Sequence, residues 1–358
     1  MEFAEFMTEP VIDVIVPVHR TDRAVDVAVA SAQSSVQGIA TRVLVVLHNL
    51  DLDEAARVRL EESATVLRCD DGVASPSGPR NTGLGAASAP FVFFLDSDDR
   101  LAPRCLRRLH DAAEATATDV VLPSLWVSRR YVGTPLVWSR RARVLDIVDH
   151  DLFMRSHVPA LIRRRVLTSS GIRYPDGIRT SEDLVVMAHL YAIAPTSVAL
   201  DAVYLVLDDA VERASTAPLP PNERFAAVRL LLEAPWVDRL DVRQRDLLVR
   251  RILSVNVAGA WRDASEPARS RSREEHVTAR DRAFGRSPGA QALLSVRDLV
   301  SLRFDDDPGW VARVLMTRPF GLVPVSLKVA MTRHAPMVRE GRSWLVRHRR
   351  RRVSAEAG

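Results

Sequence analysis

Short, unbroken apolar runs recur through the first hundred residues, and amphipathic stretches separate them. Residues 11–18, 42–47, 65–68 and 91–95 read as strands, and residues 24–36, 53–63 and 79–87 read as helices. Apolar runs without alternation are buried on both faces, and strands that alternate with helices build a parallel sheet with helices on either side. The expected fold is therefore α/β: a Rossmann-like, mainly parallel sheet with flanking helices. Ligands of such sheets sit beyond the carboxyl ends of the strands. That rule gathers the loops 17–20, 48–51, 70–80 and 96–100 on one edge, with Pro17, His19, His48 and Asp71 among the candidates to line a site.

From residue 221 the texture changes. Segments 222–232, 237–260 and 291–302 carry apolar residues at three- and four-residue spacing and read as helices. Segment 265–286 is charged and poor in apolar residues, and reads as mobile. The expected organisation is an extension over 1–10, an α/β domain over 11–217, a helical region over 222–330 and a basic tail over 331–358, with the proline-rich stretch 218–221 as the boundary.

Composition narrows the partners. The formal charge is +5, yet residues 328–352 hold Lys328 and eight arginines against the single acid Glu340. That stretch contributes +8, so the rest of the chain sums to about −3 and offers no broad basic surface for nucleic acid. Nucleic acid is therefore not an expected partner. The tail, interspersed with Met337, Trp344, Leu345 and Val346, either lies on an anionic membrane surface or is a solvated terminus. Two cysteines, Cys69 and Cys105, cannot build a disulfide framework and suit a reducing cytoplasm. No signal-peptide pattern or run of about 20 apolar residues is found. The expected location is cytoplasmic, with a peripheral position on the inner membrane face as the variant.

Three strings carry chemistry. The first is Asp96-Ser97-Asp98-Asp99, which directly follows an apolar strand. Carboxylates this crowded repel unless a cation intervenes, and oxygen ligands suit Mg²⁺ or Mn²⁺. The bland alternative is a polar turn capping the helix that starts near Pro103. A phosphatase built on the same strand-then-Asp-x-Asp pattern is a second alternative, weakened by Arg100 where that class has Thr or Val. The second string is Ser77-Gly78-Pro79-Arg80-Asn81-Thr82-Gly83-Leu84-Gly85, a helix start with Ser77 as its cap, where Arg80 and Asn81 either meet a diphosphate or ribose or are an ordinary helix start with an exposed arginine. The third is Ser181-Glu182-Asp183, which opens an apolar helix either as dipole-favourable caps or as the source of a general base.

In their order and spacing, 14–18, Arg80-Asn81, Asp96-Ser97-Asp98-Asp99 and Glu182-Asp183 resemble the family-2 glycosyltransferases of GT-A fold, of the surface-polysaccharide or teichoic-acid-like kind. The resemblance covers roughly residues 11–216. It implies transfer of a sugar from a nucleotide-diphosphate donor to a hydroxyl of a glycan or lipid-linked acceptor, with inversion. It implies that Asp96 and Asp98 contact the donor ribose and the divalent metal, that Asp183 is the base, and that Arg80 and Asn81 line the donor pocket. Arg213, with Ser215, matches a late element that closes over the diphosphate.

One departure concerns the nucleotide. Where the family commonly has an Asp-Asp-Gly-Ser-like string, this chain has His48-Asn49-Leu50-Asp51, so His48, Asn49 or Asp71 would read the base. The Gln-x-x-Arg-Trp string of processive synthases is absent, which points to one sugar per encounter. Trp126 and Trp138, between the metal string and the base, are either packing residues or an acceptor platform. A nucleotidyltransferase and a noncatalytic basic-tailed binding protein complete the alternatives.

Overall fold

The computed structural model describes residues 9–20, 25–127, 130–131, 137, 143–156, 159–207 and 219–302. Arg213, Ser215, Trp138 and the basic tail lie outside the described residues. The chain divides into two compact units, Met1–Leu240 and Asp241–Gly358.

The first unit is built on one mixed sheet. Its strands are β1 (Ile12–Val18), β2 (Thr41–His48), β3 (Thr65–Cys69), β4 (Phe91–Phe94), β5 (Arg100–Leu101), β6 (Val120–Val127), β7 (Arg130–Tyr131), β8 (Arg143–Leu145), β9 (Leu161–Arg163) and β10 (Thr196–Val206). Among the described residues their order is β3-β2-β1-β4-β9-β6-β10-β5, with β7 on β6 and β8 on β10. Strands β1 to β4 are mutually parallel, as are β6 and β10. The departure from a mainly parallel sheet is β9, inserted antiparallel between β4 and β6, together with the short antiparallel β5, β7 and β8. These are two- or three-residue strands, too short to show a period in the sequence.

Alternate residues of the long strands serve opposite faces. Val14, Val16, Val43, Val45 and Leu47 join Ala28, Val29 and Ala32 of α1 (Val25–Ser34) in one core, which also includes Leu106, Leu109 and Ala113. The other face carries Ile15 and Val46, and against them lies Gly83. Helix α2 (Glu54–Glu61) begins with Asp53 accepting from the Ala56 N–H at 2.8 Å, and α3 is Ser77–Ala86. A Cβ on Gly83 would stand 2.4 Å from Ile15 Cγ2 and 3.3 Å from Val46 Cγ2. Two sheet residues cannot swing aside as a surface side chain would, so Gly83→Ala is expected to cost about 1–3 kcal/mol. Urea denaturation with an unchanged m-value measures it.

Helix α4 (Cys105–Thr116) follows β5, α5 (Arg164–Ser169) follows β9, and α6 is Glu182–Ile193. Helices α7 (Pro221–Arg224) and α8 (Ala226–Glu233) close the unit, with α8 against α6. The sequence grouped these last two with the C-terminal region. The compact units instead meet at residues 240 and 241.

The second unit contains α9 (Val242–Arg251), which starts in a capping box between Asp241 and Gln244. The chain continues through a wide π turn, Ile252–Val257, into α10 (Ala258–Asp263). Then come α11 (Glu266–Arg286), a 3₁₀ turn at Pro288–Leu293 and α12 (Val296–Ser301). Segment 265–286, expected to be mobile, is thus a 21-residue helix. It buries Ser272, His276, Ala279, Arg280 and Ala283, a stripe at helical spacing that is small or polar rather than apolar. No helix among the described residues is long and apolar enough to cross a membrane.

Candidate active site

The parallel strands β1 to β4 all end on one edge, which brings His19, His48, Asp71 and Asp96 to the same side of the sheet. Pro17 is buried within β1, paired with Val46, and His19 is exposed just beyond the strand. The bland reading of Asp96-Ser97-Asp98-Asp99 as a helix cap does not describe it. Strand β5 intervenes, and α4 begins only at Cys105 with Arg104 as its N-cap.

Arg80 is the hub of the site. The residue is 5% exposed, and its guanidinium lies 5.2 Å from the centre of the Tyr174 ring. Nη1 donates to Glu182 Oε1 at 2.5 Å and to Asp183 Oδ1 at 2.9 Å, and Nη2 donates to Asp96 Oδ1 at 3.0 Å. Burial works against the charge, but Asp183, Asp96 and Glu182 together hold Arg80 well above the usual arginine range. One cation thereby joins the strand-end acid to two acids from the start of α6. The expectation had been a cation facing the diphosphate. Arg80 is turned instead to three carboxylates.

Asp183 keeps 22% of its side chain exposed, whereas Glu182 keeps 8%. Burial pushes the Asp183 carboxyl well above the carboxylate range; Arg80 opposes this, and Glu182 and Asp96 add to it. A raised, partly open carboxylate is suited to accept a proton. Ser181 precedes it at φ +64°, in the left-handed region that non-glycine residues avoid.

Asn81 also differs from expectation. Its Nδ2 donates to the Tyr174 carbonyl at 2.9 Å and its Oδ1 accepts from the Tyr174 N–H at 3.0 Å. The amide braces the loop that lays Tyr174 beside Arg80, which occupies it with backbone rather than ligand. Nor does Ser77 cap α3. Its N–H donates to Ser75 Oγ at 3.2 Å, and Ser75 Oγ donates to the Ile178 carbonyl at 2.5 Å.

At the strand-end turn, Asp96 has a side chain 47% exposed and only Oδ1 taken by Arg80, while Asp98 is half-buried. An all-oxygen pair with a carboxylate oxygen to spare fits Mg²⁺ or Mn²⁺. Asp99, not singled out from sequence, is 6% exposed. It accepts from the Tyr204 hydroxyl at 2.7 Å and from the Leu207 N–H at 3.2 Å, and Tyr204 in turn accepts from the Asp96 N–H at 3.3 Å. Burial, with Asp96 and Asp98 close by, pushes Asp99 up to about 8, and the two hydrogen bonds partly offset that. The Tyr204–Asp99 pair pins the acid turn to the end of β10.

The fourth cluster stands where the family's acid string would be. Asp71 Oδ1 lies 2.9 Å from His48 Nε2 and accepts from Val73 N–H at 2.9 Å and Asn49 Nδ2 at 3.3 Å. Asn49, at φ +49°, accepts the Gly72 N–H on Oδ1 at 2.9 Å, which fixes its amide orientation. Its NH₂ therefore faces His48 and Asp71, and His48 Nε2 lies 3.1 Å from Asn49 Nδ2 as well as 2.9 Å from Asp71 Oδ1. Burial acts against the Asp71 charge, yet the Val73, His48 and Asn49 donors hold this carboxyl below the usual range. Trp126, half-buried near the end of β6, is tilted against Tyr131 with ring centres 6.0 Å apart.

A two-faced α/β sheet with acids gathered at its strand ends is the architecture of a GT-A-type domain. Residues 13–169 match the sequence profile of glycosyl transferase family 2, and this part of the chain is a family 2 glycosyltransferase domain. The poly(ribitol-phosphate) β-N-acetylglucosaminyltransferase TarP of Staphylococcus aureus is 27% identical over 164 residues, 44% of this chain and 50% of TarP. The succinoglycan biosynthesis protein ExoO of Rhizobium meliloti is 25% identical over 183 residues, 48% of this chain and 51% of ExoO. The chain thus spans about half the length of these relatives. Among solved structures, S. aureus TarS 1-349 in complex with UDP-GlcNAc superimposes with a TM-score of 0.69 at 17% identity, over 86% of this chain and 93% of that one. The likeness establishes the shared fold.

Proposed function

We propose that this chain transfers a sugar from a nucleotide-diphosphate-sugar to a hydroxyl of a glycan or lipid-linked acceptor, inverting the anomeric centre. The observation that carries the proposal is the Arg80 hub, which sets a partly open, raised-pKa Asp183 beside the strand-end acids of a family 2 fold. The poly(ribitol-phosphate) in the name of TarP and the UDP-GlcNAc bound to TarS support a nucleotide-sugar donor and a polymer acceptor.

In this account Asp183 takes the acceptor hydroxyl proton. The freed oxygen forms a bond to the anomeric carbon as the bond to the diphosphate breaks on the opposite face. Asp96 and Asp98 would hold Mg²⁺ or Mn²⁺, which supplies charge to offset the diphosphate leaving group. Arg80 keeps Asp183 oriented and its charge tolerable while Asp96 meets the donor. His48 and Asp71 meet the nucleotide base, Pro17 and His19 border it, and Arg213 assists the diphosphate. A thermal-shift screen of nucleotide-sugars with and without Mn²⁺ tests this directly. Stabilisation by one nucleotide class, larger with Mn²⁺, is expected; no response to any donor contradicts it.

We further propose that the arginine-rich tail holds the enzyme on the inner membrane face, each basic residue near an anionic surface adding about 1 kcal/mol. Full-length chain is expected to float with phosphatidylserine-containing liposomes, and a chain truncated after Ala330 to stay in solution. Equal behaviour of the two removes the membrane role.

A further inference from the structure

The ends of β2 and β3 hold a ligand set unlike the oxygen-only pair at the strand-end turn. His48 and Cys69 are register partners on adjacent parallel strands, so their side chains leave the same face of the sheet side by side. Asp71, two residues beyond Cys69, folds back onto both. Its Oδ1 is 2.9 Å from His48 Nε2, and its Oδ2 accepts from Cys69 Sγ at 3.7 Å. One ligand atom from each of the three residues lies within 4.8 Å of the other two. His48 and Cys69 are 7% and 9% exposed, and Asp71 reaches the surface. Gly78 completes the cradle, because a Cβ there would stand 2.1 Å from Asp71 Oδ2 and 3.2 Å from Cys69 Sγ.

We propose that His48, Cys69 and Asp71 form a binding site for a thiophilic divalent cation, best matched by Zn²⁺, and that this ion competes with the donor nucleotide. Imidazole nitrogen, thiolate sulfur and carboxylate oxygen are the set that Zn²⁺ takes, whereas Mg²⁺ and Mn²⁺ prefer oxygen alone. Three protein ligands leave the fourth tetrahedral position to water. On binding, the Cys69 thiol gives its proton to solvent while neutral His48 keeps its single ring proton on the nitrogen turned away from the ion, so one proton is released per ion. Competition with the donor rests on the proposed role of His48 and Asp71 at the base. Ion binding itself does not.

Co²⁺, a spectroscopic stand-in for Zn²⁺, is titrated into the full chain without donor. A thiolate-to-cobalt band in the near ultraviolet is expected, saturating at one equivalent and bleached by Zn²⁺. Cys69→Ser, checked for an unchanged metal-free melting temperature, is expected to lose the band and bind Co²⁺ at least about tenfold more weakly; His48→Gln provides a second ligand variant. Absence of the band in the wild type, or its persistence in Cys69→Ser, overturns the site. Adding the nucleotide-sugar found in the donor screen is then expected to displace Co²⁺. A band indifferent to that donor overturns the competition and leaves the ion site standing.

Discussion

Asp183→Asn is expected to abolish sugar transfer while donor binding is largely kept. The change removes the proton acceptor but preserves shape and the oxygen that faces Arg80, whose Nη1 sits 2.9 Å from Asp183 Oδ1. Loss of a general base costs about 10²–10⁴ in rate, so kcat falls by that factor with little change in donor affinity. The pH profile gives a second readout. Burial, then the nearby acids Glu182 and Asp96, raises the Asp183 carboxyl against the pull of Arg80. The base works only when ionised, so kcat rises with pH through a limb displaced above the ordinary carboxylate range of about 4. An acid limb at that ordinary value contradicts Asp183 as the titrating base.

The second large effect is on the fold of the site itself. Arg80→Ala leaves Asp96, Glu182 and Asp183 without the cation that binds all three. Removing one partner from a buried ion cluster costs about 3–5 kcal/mol. The deficit has a definite pH sign. Without Arg80 the already raised Asp183 carboxyl is raised further in the folded state, and a carboxyl raised on folding destabilises progressively as pH climbs above its unfolded value. The variant is therefore expected to be closest to wild type in acid and furthest from it at neutral pH. Arg80→Lys keeps one charge but cannot reach three carboxylates with a planar fork, so it recovers only part of the stability. Urea denaturation across pH measures both, and a neutral-pH loss under about 1 kcal/mol contradicts the hub.

The strands and the edge they share were legible because unbroken apolar runs leave few alternatives to a buried parallel strand. Asp96, Asp98 and Asp183 were legible as crowded carboxylates at element ends. What sequence could not give was direction. Arg80 lies about a hundred residues from Glu182 and Asp183, and no local pattern says that it faces them rather than a ligand. Asn81 has the same history, because its partner Tyr174 is equally distant. Asp99 was hidden by its neighbours. In a row of similar acids, the Tyr204 hydroxyl and the Leu207 N–H, arriving from the end of β10, separate it from its half-buried neighbours. The helix over 266–286 escaped because its buried stripe contains Arg280, His276 and small residues, which hydrophobic periodicity does not count. Cys69 gave no signal beyond its rarity until the register of β2 and β3 put it beside His48.

The most direct measurement combines turnover and binding on the same two proteins. Wild type and Asp183→Asn are given the nucleotide-sugar that stabilises the wild type, with Mn²⁺ and a glycan acceptor, and nucleoside diphosphate release is followed beside the thermal shift. The account predicts release by the wild type alone and an equal donor-induced shift in both. Release by Asp183→Asn at the wild-type rate would contradict it.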